Sequence, residues 1–436
     1  MAENTREIVL DTLLALEKGE EFSHRLIKAV LDKYNYLEER DKAFIKRLVE
    51  GTLERQTELD YYLDHFSSVP VRRMKPLIRC LMRMSVYQLL YMDNVPDSAV
   101  CNEACKLAQK RRFSNLKGFV NGVLRGIARQ KDALPLPDAE KCPKEYLSVK
   151  YSMPVWIVEM WMEQYGTECT EEILEGLLKI HPVSVRFCKD LGEREREELI
   201  AEMEQAGAAL HQSTLLPYLY TIENSENIAE LPGFAEGRFV VQDVSSAMAV
   251  EAAGIRPGDQ VIDLCAAPGG KSILAAEITG AQGHVLSRDV SDSKVNLILE
   301  NKIRMGRENI TAEVHDATIA DQSLFEKADV VLADVPCSGL GVIGKKRDIK
   351  YHVTGEQLAA IGELQKRILD ASWQYVKKGG VLLYSTCTIH AGENEQMTKW
   401  ITEQYPFVLE EERQFLPGRD ETDGFYYARL RRKRES

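Results

Sequence analysis

Two cysteines occupy matching places in the chain, each just past an apolar run: Cys337 in "ADVPCSG" and Cys387 in "YSTCTIH". If both runs are strands of one parallel sheet, both thiols reach its carboxyl edge, where the ligands of such sheets bind. A buried cysteine is ordinarily a small hydrophobe, and either one alone would carry little weight. Two at one rim, with Asp334 at the end of the first run, match the needs of a particular reaction. Carbon 5 of a pyrimidine is a poor nucleophile. A thiolate that adds to carbon 6 turns the ring into an enamine, and carbon 5 can then attack an electrophilic methyl group. An acid at ring nitrogen 3 stabilises the adduct, and a base removes the carbon 5 proton so that the thiol is expelled. Cys387, Asp334 and Cys337 can fill these three places. Methylation of an exocyclic amine fits less well. It uses Asp/Asn-Pro-Pro-aromatic, and the text here is Asp334-Val335-Pro336-Cys337.

A methyl donor needs its own site, and "VIDLCAAPGGKSILAAEI", residues 261–278, is the candidate. Its Gly270-Lys271-Ser272 is the tail of a phosphate-binding P-loop, but the glycine required five residues earlier is replaced by Cys265. No G-x-G-x-x-G opens the helix either, so a pyrophosphate is not expected. The small residues and paired glycines after Asp263 let backbone approach a flat ligand closely. Acids follow each of the next three apolar runs: Asp289, Asp316 and Asp334. Such acids suit a ribose, an adenine amino group and a cationic end, and S-adenosylmethionine has all three. Acids also cap helices after strands, so it is the series that argues for a site.

These residues need a frame. Apolar strands at 260–264, 283–288, 310–314, 328–333 and 381–386 alternate with helical runs. That pattern predicts a doubly wound, mainly parallel sheet from about residue 237 to 436. The closing "GFYYARLRR" reads as an extra edge strand. Residues 145–235, with strand-like "PVSVRFCKD" and "LPYLYTIE" around a helical "EREREELIAEMEQAG", predict a small α+β linking module. Residues 1–135 show only helical spacing, and the proline-bearing "ALPLPDAEKCPKEY" after them reads as a linker.

The net charge of −12 is unevenly shared: residues 1–135 hold 23 Lys+Arg against 19 Asp+Glu, and the remainder 33 against 49. Lys106–Lys131 contains eight basic residues and no acidic one, and "VRRMKPLIRCLMR" (71–83) adds five more. Acid-free clusters of this kind point to a polyanion, RNA or DNA, against the plainer reading of a solvated helix face. Nine scattered cysteines, with no signal peptide and no long apolar run, predict free thiols in the cytoplasm and no membrane segment. Cys101 and Cys105 lack the partners of a zinc site and are expected on one buried helix face. No metal is expected.

At the level of whole motifs, "DLCAAPGGKS", "DVPCSGLGVI", "DIKY", "YSTCTIHAGENE" and "LPGRDETDGFYYARL" resemble the blocks of the RNA cytosine-C5 methyltransferases. The front of the chain ("LDYYLDHF", "IRCLMRMSVYQLLYMDNVPDSAVCNEACKLAQK", "KGFVNGVLR") looks like the all-helical fold of the antitermination factor NusB. That combination is the layout of bacterial enzymes that methylate 16S rRNA. The resemblance covers nearly the whole chain and is weakest over 135–230. It implies a multidomain protein: an all-α NusB-like RNA-binding domain, the α+β module, and a Rossmann-like class I S-adenosylmethionine-dependent methyltransferase domain. It makes Cys387 the nucleophile and Cys337 the residue assisting release, a distinction that motif order does not draw. It assigns the cofactor to Cys265, Ala266, Ala267, Pro268, Gly269, Gly270, Lys271, Asp289, Asp316 and Asp334. The implied partner is unmodified 16S rRNA before full subunit assembly, with neither membrane nor DNA involved, and the chain acting as a monomer. The same chemistry on tRNA or 23S rRNA, and a non-catalytic assembly or antitermination factor, are the alternatives. Arg347 departs from the family's proline before "DIK", and Lys345, Lys346, Arg347 and Lys350 are either RNA contacts or solvated loop charge.

Overall fold

The computed structural model describes residues 4–19, 22–179, 182–224 and 227–434. The chain forms two compact units, Met1–Leu178 with Lys345–His352, and Lys179–Gly344 with Val353–Ser436.

The first unit is helical throughout its described residues. Apolar spacing predicts this for residues 1–135, but the helices Pro143–Lys150, Val155–Tyr165 and Thr167–Leu178 also belong to it, although the sequence reading starts the small α+β module at residue 145. Its hub is Pro76–Tyr91, opened by a proline at the first turn, where no amide hydrogen is needed. Ile78, Cys80, Leu81, Met84, Val86 and Tyr87 are among its buried residues, and they point all round the helix. It packs against Thr5–Leu16, Glu39–Glu54, Gln56–Phe66, Asp97–Lys110 and Lys117–Gln130. Lys117–Gln130 shows the one-sided case. Val120, Val123, Leu124 and Ile127 face the core at helical spacing, each contributing about 1.5–3 kcal/mol by burial. Cys101 and Cys105 do lie buried and free on one helix. The expected linker is shorter than its prolines suggest: Pro143 is not a breaker but the first residue of the helix Pro143–Lys150.

Residues 345–352 are packed into this helical unit rather than left to solvent. Lys350 is 2% exposed, and its ammonium donates to the carbonyls of Glu54 at 2.7 Å and Ser152 at 2.6 Å. Arg347 pairs with Glu50 at 2.5 Å and Glu54 at 2.9 Å. Asp348 accepts from the Ser23 amide at 2.7 Å. Of the basic residues considered for RNA here, Lys350 and Arg347 are therefore engaged internally, while Lys346 is exposed.

In the second unit, β1 (Val183–Phe187), β2 (Ala209–Gln212), β3 (Leu219–Glu223) and β4 (Phe239–Val241) form an antiparallel sheet of order β2-β3-β1-β4. The helix Glu193–Gln205 lies between β1 and β2 in sequence. Arg186 of β1 is wholly buried. Its guanidinium donates to Glu277 at 2.6 and 3.1 Å and to Gln242 at 2.6 Å. Arg307 also reaches Glu277, at 3.3 Å.

The larger sheet contains β5 (Gln260–Asp263), β6 (His284–Asp289), β7 (Ile310–Val314), β8 (Ala328–Asp334), β9 (Val376–Thr386), β10 (Phe407–Phe415) and β11 (Phe425–Arg432). Its order is β10-β11-β9-β8-β5-β6-β7. β7, β6, β5, β8 and β9 run parallel, and β11 and β10 are antiparallel additions. This is the doubly wound, Rossmann-like architecture that the alternation of strands and helices predicts. Strand order reverses between β5 and β8, which puts a ligand crevice at their carboxyl ends. One expectation is overturned. β11, the "FYYARLRR" run, is not an edge strand but is enclosed between β9 and β10. Its side chains are buried on both faces, and it is β10, with a mostly exposed "VLEEE", that takes the edge.

Candidate active site

Parallel pairing brings the two cysteines together. Asp334, the last residue of β8, stands opposite Ser385 of β9, so the stretches that follow both strands emerge side by side. The Sγ atoms of Cys337 and Cys387 lie 3.2 Å apart, and the Cys387 amide donates to Cys337 Sγ at 3.3 Å. That bond to Cys387, together with burial, holds the Cys337 thiol well above the ordinary cysteine range. Close backbone approach fixes the Cys387 side. Gly341 N–H donates to the Cys387 carbonyl at 3.2 Å, and Gly424 N–H to the Gly341 carbonyl at 2.9 Å. A Cβ on Gly341 would sit 2.0 Å from the Gly424 oxygen, so the "GLG" and "DGF" turns meet only through glycine.

Beside the thiols, Asp334 is held at both oxygens, by Lys271 at 2.8 Å and by the Ser385 hydroxyl at 2.8 Å. Burial disfavours the Lys271 ammonium, but Asp334, Asp263 and Cys387 outweigh it and raise its pKa. Lys271 also lies over the Phe425 ring, 5.3 Å from its centroid.

The loop after β5 turns on Gly269, whose φ of +105° is open to glycine at little cost. The helix Gly270–Thr279 begins there with no side-chain cap among the described residues. Asp289 secures this loop: its carboxylate accepts from Ala267 N–H at 3.0 Å, Val290 N–H at 2.8 Å and Lys294 at 2.9 Å. Pro268 is exposed, and its carbonyl accepts from Asn301 at 3.0 Å. Ala266 donates its amide to the Arg288 carbonyl at 2.9 Å. Cys265 packs into the core, and burial raises its thiol far above the ordinary value. Asp263 is fully buried. One oxygen accepts from Ser272 at 2.7 Å, the other has no partner among the described residues, and burial lifts its pKa to about 7. Asp316 stands apart from this network. Its carboxylate accepts from the amide and hydroxyl of its neighbour Thr318, which hold its pKa below the ordinary value.

Cys337, Cys387 and Asp334 thus form one cluster with Lys271, and Asp289 joins the loop Cys265–Lys271. Sequence reasoning missed a buried group behind the thiols. Glu393, 1% exposed, accepts from Ser338, Gln365 and His390. It lies within the quoted "HAGENE" run, but nothing in the run distinguishes a buried acid from a helix-capping one.

Residues 252–431 match the family described as 16S rRNA methyltransferase RsmB/F, and residues 3–129 match the NusB family. The chain is 34% identical to the probable ribosomal RNA small subunit methyltransferase B of Bacillus subtilis (strain 168), over 99% of each. The chain belongs to the ribosomal RNA small subunit methyltransferase B family. Its counterpart in Proteus mirabilis (strain HI4320) is 32% identical over 91% of this chain and 92% of that one. Among solved structures, that of PH0851 is 26% identical and covers 99% of each chain at a TM-score of 0.80. The NSun6 protein from Pyrococcus horikoshii, solved with SFG, shares the fold at 22% identity, a TM-score of 0.57 and 65% of this chain. Membership makes this an S-adenosylmethionine-dependent methyltransferase whose substrate is ribosomal RNA. Among the described residues, no helix is long and apolar enough to cross a membrane.

Proposed function

We propose that the chain methylates carbon 5 of a cytosine in unmodified 16S rRNA through a covalent bond from Cys387 to ring carbon 6. The observation that carries this reading is the pair of sulfurs 3.2 Å apart beside the Lys271–Asp334 bridge. A reaction that forms and then breaks a thioether needs two groups at one point, and the two thiols suit different halves of it. Cys337, with its raised pKa, keeps its proton at neutral pH, which leaves Cys387 to attack. The Lys271 ammonium interacts with Cys387 and stabilises negative charge that builds on its sulfur. Asp334, fixed by two donors, supports the ring at nitrogen 3, and Cys337 assists the step that frees the enzyme.

S-adenosylmethionine supplies the methyl group. The residues suit it: Asp263, Asp289 and Asp334 interact electrostatically at the strand ends, an acidic setting that favours a sulfonium cation. The loop Cys265–Lys271 with Asp289 and Asp334 would hold it, and Asp316 would meet its adenine end.

RNA binding by residues 1–135 is supported by the cations that remain unpaired. Arg79, Arg83, Lys110 and Arg111 are tied to Glu17, Asp60, Glu7 and Asp11. Arg72, Arg73, Arg112, Lys117 and Arg125 have no carboxylate partner among the described residues and are available to phosphates. The target base must be single-stranded or flipped for a thiol to reach carbon 6.

The test is a denaturing gel of wild type, Cys337→Ala and Cys387→Ala incubated with unmodified 16S rRNA and S-adenosylmethionine. Cys337→Ala should accumulate a covalent protein–RNA band and Cys387→Ala none. A band with Cys387→Ala would reverse the roles. No band from any variant, with no methyl transfer by wild type, would remove the reading.

A further inference from the structure

The two thiols are not held in the same way. Cys387 follows directly on β9, whose final residues pair with β8 on one side and β11 on the other. Cys337 stands beyond the end of β8 in the irregular stretch 335–339. What fixes that stretch is one buried carboxylate. Glu393 accepts the Ser338 amide at 2.9 Å and the Ser338 hydroxyl at 2.6 Å, on separate oxygens. Gln365 donates to Glu393 at 3.1 Å and to the Pro336 carbonyl at 2.9 Å. The residues before and after Cys337 are thus both clamped, through a single acid and the amide side chain beside it. The Ser338 hydroxyl also meets that of Thr388 at 2.8 Å, joining the residue after one thiol to the residue after the other. His390 Nδ1 lies 3.2 Å from the same carboxylate. Glu393 is 1% exposed, and Gln365 and Thr388 are wholly buried, so water cannot replace these bonds without opening the loop.

We infer that Glu393 is a positioning residue for the release step: it holds Cys337 against Cys387 and takes no part in forming the adduct. The inference rests on the cysteine roles proposed above. In release, the carbon 5 proton passes to a base. The electrons of that C–H bond restore the carbon 5–carbon 6 double bond, and the Cys387 sulfur departs with the pair from its bond to carbon 6. That step needs Cys337 at contact distance. Attack by Cys387 does not, because the end of β9 and the Gly341 amide on the Cys387 carbonyl hold Cys387 by bonds in which Glu393 has no part. Loss of Glu393 should therefore leave attack and methyl transfer intact while the enzyme stays attached to its product.

The experiment runs wild type, Glu393→Ala, Glu393→Gln and Cys337→Ala through the same gel, with S-adenosylmethionine binding measured on each. Glu393→Ala should bind the cofactor as wild type does and raise the retained protein–RNA band about tenfold or more, the factor set by one lost bond to a charged acceptor. Glu393→Gln should clear the band nearly as wild type does. Its carbonyl can face the two N–H donors of Ser338 and Gln365, while its amide faces the Ser338 hydroxyl and a His390 nitrogen, both able to accept. If Glu393→Ala binds cofactor but turns over freely or forms no band, the inference is wrong. Retention by Glu393→Gln equal to that of Glu393→Ala would also overturn it, by showing that charge rather than position matters. Should Glu393→Ala fail to bind cofactor, Gln365→Ala, which frees the Pro336 side, must retain the band instead; clearance there would count against the inference. A band with Cys337→Ala and none with Glu393→Ala defeats only the positioning role. No band with Cys337→Ala defeats the cysteine assignment beneath it.

Discussion

Replacing Asp263 with asparagine should stabilise the protein in mild alkali and lose that advantage in acid. Asp263 is fully buried at the end of β5, with one oxygen on Ser272 and the other unpartnered. Burial raises its pKa from 3.8 to about 7, with Asp334 and Asp289 pushing the same way and Ser272 and Lys271 opposing. A carboxyl whose folded pKa is raised binds its proton more tightly in the folded state. Its contribution is then complete below the unfolded pKa and is lost as pH rises through the folded one. Integrating between those two values, the penalty on the folded state is about 4 kcal/mol at about pH 8 and about 1.5 kcal/mol at about pH 5. Asparagine carries no such penalty, although its unpartnered amide costs about 1–3 kcal/mol at either pH. The pH-dependent part, about 2.5 kcal/mol, is the quantity to measure, by urea denaturation of both proteins at the two pH values. In melting temperature it should appear as a difference of roughly 5–10 °C between the two conditions for a unit of this size. An offset between wild type and Asp263→Asn that is equal at both pH values would refute the buried, raised carboxyl. So would a variant less stable at the higher pH.

Two further outcomes follow from buried charge. Glu277→Ala strands Arg186, which is wholly buried, and should cost about 3–5 kcal/mol in denaturant unfolding; a loss under about 1 kcal/mol would mean the pair is not closed to water. Lys350, pushed down to about 7 by burial, should make the wild type gain stability as pH rises from about 7 toward about 10.4, by about 2 kcal/mol over the first two units. Lys350→Met should remove that slope in thermal melts, and an unchanged slope would assign it to other groups.

The alternation of short apolar runs and helices was enough to predict the parallel core, because buried parallel strands are nearly continuous in Val, Ile and Leu. It was not enough to order the last two strands. "FYYARLRR" and "FVLEEERQF" both favour strands, and which one is enclosed depends on what packs over each face, a long-range property. The thiols and Asp334 were legible because strand ends follow from sequence and parallel pairing aligns them. Glu393 was not, since the donors that surround it come from Ser338, Gln365 and His390, brought together only by folding. The acid-free basic runs misled in a similar way. Arg79 and Arg83 look unopposed along the chain, but Glu17 and Asp60 oppose them in space.

Residues 345–352 belong to the helical unit although the chain on both sides of them belongs to the other. The polypeptide therefore passes between the units three times, not once as in beads on a string. A fragment ending at Leu178 would lack the Lys350 ammonium that holds the Glu54 and Ser152 carbonyls and the Asp348 carboxylate that holds the Ser23 amide. The converse fragment would carry a free basic octapeptide in its place. In engineering terms the helical front cannot be exchanged for that of a relative at a single junction. A chimera has to carry the donor's own version of this octapeptide along with it, and ribosomal synthesis completes the front only after four of the seven strands of the larger sheet have been made.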